Sequence, residues 1–384
     1  MPRINPLLDR LAEYPMVELE RRKEAVAARG LPLYDFSVGD PVEATPEFIR
    51  QALQDAITPR CGYPSISGSP GLRGAIADYV ARRFDVRLDP ATQILPTAGA
   101  KEAVFHTPQL VVDPAADDRV VLFPDPGYPA YQRGVLFAGG EPVAVPLEGD
   151  HVFRPWLLPD ALLRRTRMIW LNTPHNPSGA VTSLTDLRRA VDLARTYDIL
   201  LVSDEAYADI YHGQPPPSLL QAGVEGVLVL HSLSKRSGMT GYRSGFIAGD
   251  PALVSRLRRL RANPGLASPD FVNAAAQAAW ADDAHVAERR AIFRAKRQLL
   301  LDFFQEAGLE VHGSEATIYL WVRVPGGDDD EAWAERLLQE GVVVSPGRMF
   351  GVSGAGRGYV RLALVPSLDE ITAAIAAFRR VLSD

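Results

Sequence analysis

The sequence predicts an α/β fold with one large, doubly wound, mainly parallel sheet domain and a smaller α+β domain. Short apolar runs recur between about residues 120 and 230, and each is uniformly apolar, as strands covered on both faces must be. Helical patterns and Pro- or Gly-rich turns separate these runs. We expect residues 1–45 to form an arm that joins the small domain, 46–275 the large domain and 276–384 the small domain.

The elements of this fold can be predicted in chain order. The strands expected in the large domain are 120–123, 168–171, 199–202 and 227–230. The clearest helix runs from about 184 to 196, with Ser183 as its N-cap. Further on, a long helical pattern over 284–306 precedes two short strands at 318–322 and 359–363. This change from alternating elements to one long helix followed by strands separates the two predicted domains.

Composition excludes several classes of protein. A net charge of −6 over 384 residues argues against a broad nucleic-acid-binding face. Cys61 is the only cysteine, so intramolecular disulfides are impossible, which fits a reducing compartment. Residues 1–6 lack the apolar core of a signal peptide, and no run reaches membrane-spanning length. The seven histidines are scattered. We therefore expect a soluble cytoplasmic protein with no metal, no nucleic-acid partner and no membrane segment.

Chemically useful residues follow the predicted strands one after another. Ligands of open parallel sheets bind outside the carboxyl ends of the strands, so these residues should lie close together. The turn at Gly99, Ala100 and Lys101 leads into a helix, and its backbone N–H groups could cradle a phosphate. Tyr128, in a loop fixed by prolines, could offer its face to a flat ring. Taken alone, the turn is better explained as an ordinary connector, and a tyrosine packed under prolines explains the second segment equally well.

The next two strand ends carry an amide and a carboxylate. Asn176 lies in a turn-forming segment, and its side chain could donate to a phenolate-like oxygen. Asp204 ends an apolar strand, where a carboxylate is costly to bury unless it meets a cation. A protonated pyridine nitrogen would be such a cation, and Tyr207 could add a hydrogen bond to a ring oxygen.

A lysine follows the last of these strands. Lys235 lies three residues after Ser232 and eight before Arg243, so it could form a Schiff base while both neighbours hold a phosphate. An exposed Lys/Arg pair is the ordinary explanation of such a segment. Each of the five segments has an ordinary structural explanation when it is considered alone. It is improbable that all five explanations hold at five successive strand ends. Together these residues match the needs of pyridoxal 5'-phosphate.

The motifs resemble those of the fold-type I, pyridoxal-phosphate-dependent aminotransferases of class I/II, the branch that contains aspartate aminotransferases. The resemblance runs from about Leu33 to the C-terminus, and its most specific parts are 175–179, 203–207 and 232–245. It implies the fold-type I architecture and transamination between an amino acid and a 2-oxo acid by ping-pong kinetics.

The resemblance also implies roles for individual residues. Lys235 would be the Schiff-base lysine, Asp204 the partner of the pyridine nitrogen and Tyr207 a contact of the ring oxygen. The remaining cofactor contacts would be Gly99, Ala100, Lys101, Tyr128, Asn176, Ser232 and Arg243.

Three further positions concern the substrate and the neighbouring subunit. Arg361 resembles the arginine that grips the substrate α-carboxylate, for which a guanidinium fork is suited. Gly39, with Asn176, would contact the substrate. Tyr63 resembles a tyrosine that reaches the phosphate of the neighbouring subunit, which implies a homodimer with shared active sites.

The narrower resemblance is to the succinyldiaminopimelate aminotransferases of lysine biosynthesis. It rests on segments 5–15, 231–237 and 316–321, whereas 238–242 follows the wider family. The expected amino acid substrate is therefore N-succinyl-LL-2,6-diaminopimelate, with 2-oxoglutarate and glutamate as the other oxo acid and amino acid. The arginines that could bind a distal carboxylate are Arg258, Arg259, Arg261 and Arg348.

Alternatives remain open at this point. The amino donor could be aspartate, an aromatic amino acid or LL-diaminopimelate, and the same cofactor site would serve a carbon–sulfur lyase. A ligand-sensing domain of a transcriptional regulator is disfavoured, because the resemblance begins near residue 33 and leaves no room for a DNA-binding domain.

Overall fold

The computed structural model describes residues 2–9, 16–327 and 329–383, so part of the 5–15 segment lies outside the described residues. The helices are α1 (Pro6–Asp9), α2 (Met16–Ala27), α3 (Glu47–Asp55), α4 (Pro70–Phe84), α5 (Ala100–His106), α6 (Ala130–Phe137), α7 (Asp160–Leu163), α8 (Leu184–Tyr197), α9 (Leu233–Arg236), α10 (Pro251–Ala262), α11 (Asp270–Ala281), α12 (Ala284–Glu306), α13 (Asp330–Gln339) and α14 (Leu368–Ser383). The strands are β1 (Tyr34–Asp35), β2 (Ile94–Thr97), β3 (Val120–Asp125), β4 (Glu141–Pro146), β5 (Thr166–Asn172), β6 (Leu200–Asp204), β7 (Val227–Ser232), β8 (Gly245–Gly249), β9 (Val311–His312), β10 (Tyr319–Arg323), β11 (Val342–Val343), β12 (Ser345–Pro346) and β13 (Tyr359–Ala363).

The large sheet has seven strands in the order β2-β8-β7-β6-β5-β3-β4. Strand β8 is antiparallel to both of its neighbours, and the other pairings are parallel. Two antiparallel pairings in succession restore the direction, so β2 runs the same way as β7. The carboxyl ends of six strands therefore lie along one edge, where ligands of such sheets bind.

The four strands expected in this sheet are confirmed as β3, β5, β6 and β7, which are neighbours inside it. Every residue of β3, β6 and β7 is buried, which explains their uniformly apolar sequence. Strand β8 was not predicted, although the glycines at both of its ends are a visible turn signal.

Helix α8 illustrates how local sequence fixes an element. Its N-cap is Ser183, whose Oγ accepts a hydrogen bond from the Asp186 N–H at 3.1 Å. Leu187, Val191 and Ala194 fall on one helical face and are buried against the sheet. The helix predicted over 184–196 is confirmed and ends one residue later.

The C-terminal part is built on a second sheet, with the antiparallel order β12-β13-β10-β9. The predicted long helix is α12, and both predicted strands are present as β10 and β13. Strand β1 pairs in parallel with β11, so the N-terminal segment joins this part of the chain. The domain boundaries at 45 and 275 stay predictions. No helix within the described ranges is long and apolar enough to cross a membrane.

A buried carboxylate joins the two parts of the chain beside the edge of the large sheet. Asp125, the last residue of β3, accepts hydrogen bonds from the Val352 N–H at 2.9 Å and the Ser353 N–H at 3.1 Å. Because Asp125 is fully buried, these bonds fix the loop before β13 over the carboxyl edge of the sheet. The space enclosed there holds the candidate site.

Candidate active site

A cavity of about 470 Å³ lies at the carboxyl edge of the large sheet, and residues of β10 and β13 close it from the other side. It brings together every predicted site residue except Gly99 and Tyr63. The predicted residues that line it are Gly39, Ala100, Lys101, Tyr128, Asn176, Asp204, Tyr207, Ser232, Lys235, Arg243 and Arg361.

Lys235 lies in the short helix α9, directly after β7, and points its amine into this cavity. Its Nζ donates a hydrogen bond to the carbonyl oxygen of Gly39. Burial lowers the pKa of Lys235, and the nearby Arg361 and Arg243 lower it further, against the opposing effect of Tyr319 and Asp40. A lysine with a lowered pKa is more often neutral, so it can act as a nucleophile or proton acceptor.

Asp204, the last residue of β6, is only 5% exposed. Its carboxylate accepts hydrogen bonds from the Tyr131 hydroxyl at 3.0 Å and from the Ala206 N–H at 3.2 Å. Burial raises the pKa of Asp204, although both hydrogen bonds oppose the shift. Since both donors are neutral, a cation placed against this carboxylate would offset the cost of burying its charge.

Tyr131 has a role that the sequence analysis missed. Its ring is fully buried and stacks on Trp170, with centroids 5.0 Å apart and an interplanar angle of 22°. Burial and the adjacent Asp204 raise the pKa of Tyr131 well above its usual value, so the hydroxyl remains a donor. The available signal was its position three residues after Tyr128, whose ring meets it edge-on at 5.8 Å.

Asn176 is held by the strand end that precedes it. The Oδ1 of Asn172 accepts from the Asn176 N–H at 2.8 Å, and the Asn172 amide donates to the Asp204 carbonyl at 2.9 Å. The Oδ1 of Asn176 in turn accepts from Nη1 of Arg361 at 3.1 Å. Because that oxygen is engaged, the Asn176 side chain offers a ligand its N–H donors.

Two tyrosine hydroxyls meet above Gly39. Tyr207 and Tyr319 lie 3.1 Å apart through their Oη atoms. A Cβ on residue 39 would overlap the Tyr319 hydroxyl, so only glycine fits this position. Burial alone would raise the pKa of Tyr319, but the cations of Arg361 and Lys235 outweigh it and lower that pKa. The pKa of Tyr207 is raised well above its usual value by burial.

Arg361 on β13 is 7% exposed, so it is not an exposed strand residue. Its guanidinium lies between two rings, 4.0 Å from the centre of Tyr319 and 4.3 Å from that of Phe350. Nη2 donates to the Ser37 carbonyl at 2.8 Å. Its buried Nε has no hydrogen-bond partner among the described residues. A rigid guanidinium whose Nε–H is unused is a suitable receptor for a carboxylate.

The predicted phosphate-binding residues form the remaining wall of the cavity. Arg243 donates to the Thr240 carbonyl at 2.9 Å and approaches the turn before α5. A Cβ on Gly99 would lie 2.6 Å from Nη2 of Arg243, so glycine is needed for this approach. Ser232 caps α9 by accepting from the Ser234 N–H at 3.1 Å. The Arg243 guanidinium, the Ser232 hydroxyl and the backbone N–H groups of the turn before α5 thus belong to the same wall of the cavity.

Tyr63 does not reach this cavity within its own chain. Its side chain is fully exposed and lines a separate surface depression together with Arg73, Asp270 and Asn273. Any contribution of Tyr63 to an active site would therefore be made to a second chain.

The four arginines considered for a distal carboxylate do not line the cavity. Arg261 is buried and donates to Glu102 at 3.0 Å, and Arg258 donates to the carbonyl of Ala91 at 3.0 Å. Arg348 is held by Asp330 at 2.9 Å. Within the described ranges, no group of three or more acidic, His or Cys side chains is arranged to hold a metal ion.

Comparison with known proteins identifies the family. The model of the family "Aminotransferase class I and II" matches residues 32–378. The LL-diaminopimelate aminotransferase of Aquifex aeolicus is 36% identical over 370 residues, which cover 94% of each chain. The 4-dedimethylamino-4-oxo-anhydrotetracycline transaminase of Streptomyces rimosus is 37% identical, over 95% of this chain and 98% of that one. The solved structure of a probable N-succinyldiaminopimelate aminotransferase from Thermus thermophilus has a TM-score of 0.90 at 29% identity, and the match covers 95% and 99% of the two chains. The chain belongs to the class I and II aminotransferase family.

This membership confirms the fold-type I α/β architecture and the transaminase activity, and the cofactor of this family is pyridoxal 5'-phosphate. The cavity fits that group on chemical grounds. Buried Asp204 has only neutral hydrogen-bond donors, and a pyridinium nitrogen supplies the missing cation. The Arg243 guanidinium lies against the turn at Gly99, where the absence of a side chain leaves room for it, and a guanidinium is suited to bind the phosphate.

Proposed function

We propose that this transaminase acts on LL-diaminopimelate, exchanging its amino group with a 2-oxo acid such as 2-oxoglutarate by a ping-pong mechanism. The observation that carries the proposal is the full-length similarity to the LL-diaminopimelate aminotransferase of Aquifex. N-succinyl-LL-2,6-diaminopimelate is the second candidate, supported by the similarity to the Thermus structure. The 4-dedimethylamino-4-oxo-anhydrotetracycline transaminase of Streptomyces rimosus has a similar identity to this chain, and the substrate experiment below distinguishes the candidates.

The geometry of the cavity supports a role for each of the following residues. When bound, pyridoxal phosphate supplies an aldehyde for the substrate amine and a ring that accepts electrons from the α-carbon. Arg361 binds the α-carboxylate through its fixed guanidinium. Lys235, whose pKa is lowered by burial and whose amine is oriented by the Gly39 carbonyl, would remove the α-proton. Asp204 would pair with the ring nitrogen.

The other roles concern binding of the cofactor. Asn176 and Tyr207 would donate to the ring oxygen, and Tyr128 would face the ring. The proposed phosphate ligands are Gly99, Ala100, Lys101, Ser232 and Arg243.

We also propose a homodimer in which Tyr63 of one chain completes the site of the other. Support comes from the full exposure of Tyr63 and its distance from the cavity of its own chain. Mixing the inactive variants Lys235→Ala and Tyr63→Ala tests this arrangement. If sites are shared, each mixed dimer has one intact site and regains activity; if the mixture stays inactive after subunit exchange, sharing is refuted.

The substrate is tested by offering purified enzyme one amino acid at a time and following the cofactor absorbance, then measuring turnover with 2-oxoglutarate. We expect kcat/KM for LL-diaminopimelate to exceed those for aspartate and phenylalanine by about 10²-fold. Preference for the N-succinyl compound would transfer the assignment to the second candidate. Release of pyruvate from a β-substituted amino acid without an acceptor would identify a lyase and contradict the proposal.

A further inference from the structure

Glu20, on α2, lines the active-site cavity and is not among the proposed cofactor contacts. The charged residues that line the cavity within the described ranges are Glu20, Lys101, Asp204, Lys235, Arg243 and Arg361. Of the two carboxylates among them, Asp204 is buried at the end of β6, whereas Glu20 has a side chain that is 51% exposed. Glu20 is therefore the solvent-exposed carboxylate of this cavity.

The fold holds Glu20 at this wall. The preceding residue, Leu19, is buried with Val26 against Leu338 and Val343, which anchors the adjacent face of α2. One turn further along the helix, Lys23 bonds Glu20 through Nζ and Oε1 at 2.7 Å.

A second carboxylate keeps this lysine in place. Lys23 also pairs with Asp35 of β1 at 2.7 Å, and the chain continues from Asp35 into the cavity-lining segment at Ser37 to Gly39. One ammonium shared by two carboxylates leaves the trio with a net charge of −1. Because exposed ion pairs are weak, Glu20 can turn from Lys23 to a ligand at little cost while Asp35 retains the lysine.

We propose that Glu20 is a specificity residue that binds the distal ammonium group of a diamino dicarboxylic acid substrate. This inference rests on the proposed function and deepens it, because it selects the substrate with a free distal amine. Glutamate has no distal amine, and in an N-acylated diaminopimelate the distal nitrogen is uncharged. Neither compound can form an ion pair with Glu20. The reaction rates with these two compounds therefore depend only on the other residues of the site.

The test compares Glu20→Gln with Glu24→Gln, an exposed position one turn further along the same helix and away from the cavity. We expect Glu20→Gln to lower kcat/KM for LL-diaminopimelate about tenfold. The half-reaction with glutamate and the rate with N-succinyl-diaminopimelate should stay unchanged, which also shows that the variant is folded. Glu24→Gln should behave as wild type, and the difference should shrink as salt is added.

The outcomes separate the two proposals. A wild-type enzyme that turns over LL-diaminopimelate supports the proposed function whatever the variant does. If Glu20→Gln then leaves that rate unchanged, or slows all three substrates equally, the role of Glu20 is refuted while the function stands. A wild-type enzyme that does not use LL-diaminopimelate refutes both.

Discussion

Asp204→Asn should change the stability of this protein in opposite directions with and without pyridoxal phosphate. Without the cofactor, the carboxylate is buried at 5% exposure and accepts only from the Tyr131 hydroxyl and the Ala206 N–H. An asparagine keeps the shape and an acceptor oxygen but removes the buried charge. We expect the cofactor-free variant to be more stable than wild type by about 1–3 kcal/mol at neutral pH.

With the cofactor bound, the sign reverses. Removing one partner of a buried ion pair costs about 3–5 kcal/mol, which corresponds to a dissociation constant roughly 10²- to 10⁴-fold higher for pyridoxal phosphate. Urea unfolding of the cofactor-free and cofactor-saturated proteins, together with a cofactor titration, measures both effects. An asparagine variant that is destabilised without cofactor, or that binds the cofactor normally, would refute the assignment of Asp204 to the ring nitrogen.

The pH dependence gives a further check. Because the folded-state pKa of Asp204 is raised, the folded cofactor-free protein holds this proton more tightly than the unfolded chain does. The stability that results is present at low pH and is lost as the pH rises through the raised folded-state value. The advantage of Asp204→Asn should therefore be small in acid and grow toward neutral pH.

A second buried aspartate provides the matched control. Asp209 is 5% exposed like Asp204, but it pairs with Arg236 at 2.7 Å and Arg83 at 3.0 Å. Burial alone would raise the pKa of Asp209, but the two arginines outweigh it and lower that pKa. Asp209→Asn should destabilise the protein with or without cofactor by about 3 kcal/mol, because it removes the buried carboxylate shared by Arg236 and Arg83, while Arg236 keeps its second ion pair with Asp283 at 2.7 Å. If the two substitutions change the stability of the cofactor-free protein in opposite directions, the lack of a cationic partner distinguishes Asp204 from Asp209.

Three other substitutions test the remaining groups of the site. Lys235→Ala should keep loosely bound cofactor and lose turnover by about 10³-fold or more, and near-normal turnover would contradict its role. Arg361→Lys should lower kcat/KM about 10²-fold with unchanged cofactor affinity, because an ammonium cannot reproduce the guanidinium contacts with Asn176 and Ser37. Tyr319→Phe keeps the ring over Arg361 but removes a hydroxyl whose pKa is lowered, so the alkaline limb of the pH–rate profile should move to higher pH. Superimposable profiles would show that this hydroxyl takes no part.

The sequence by itself determined the four strands β3, β5, β6 and β7 of the large sheet, the cap of α8 and the ends of α12, because each depends on neighbours in the chain. Uniform apolar runs are what a strand needs when both faces are covered, and Ser183 needs only the next turn of its own helix. It also predicted which side chains share the cavity, among them Asp204 and Lys235. Residues at the carboxyl ends of parallel strands must converge on one edge, whichever strands are neighbours.

Only the tertiary structure decided which side chains contact one another inside that cavity. Tyr131 meets Asp204, and Tyr319 crosses Arg361, only because strand order and the register of β10 against β13 bring them together. The place of Glu20 depends on how α2 packs against α13 and β11, far away in the chain. The sequence pattern of a helix or strand shows which of its faces is apolar. It does not identify the element against which that face packs, because any apolar surface can cover it. The cofactor contacts could therefore be predicted from strand ends, whereas the groups that tune them required the packed chain.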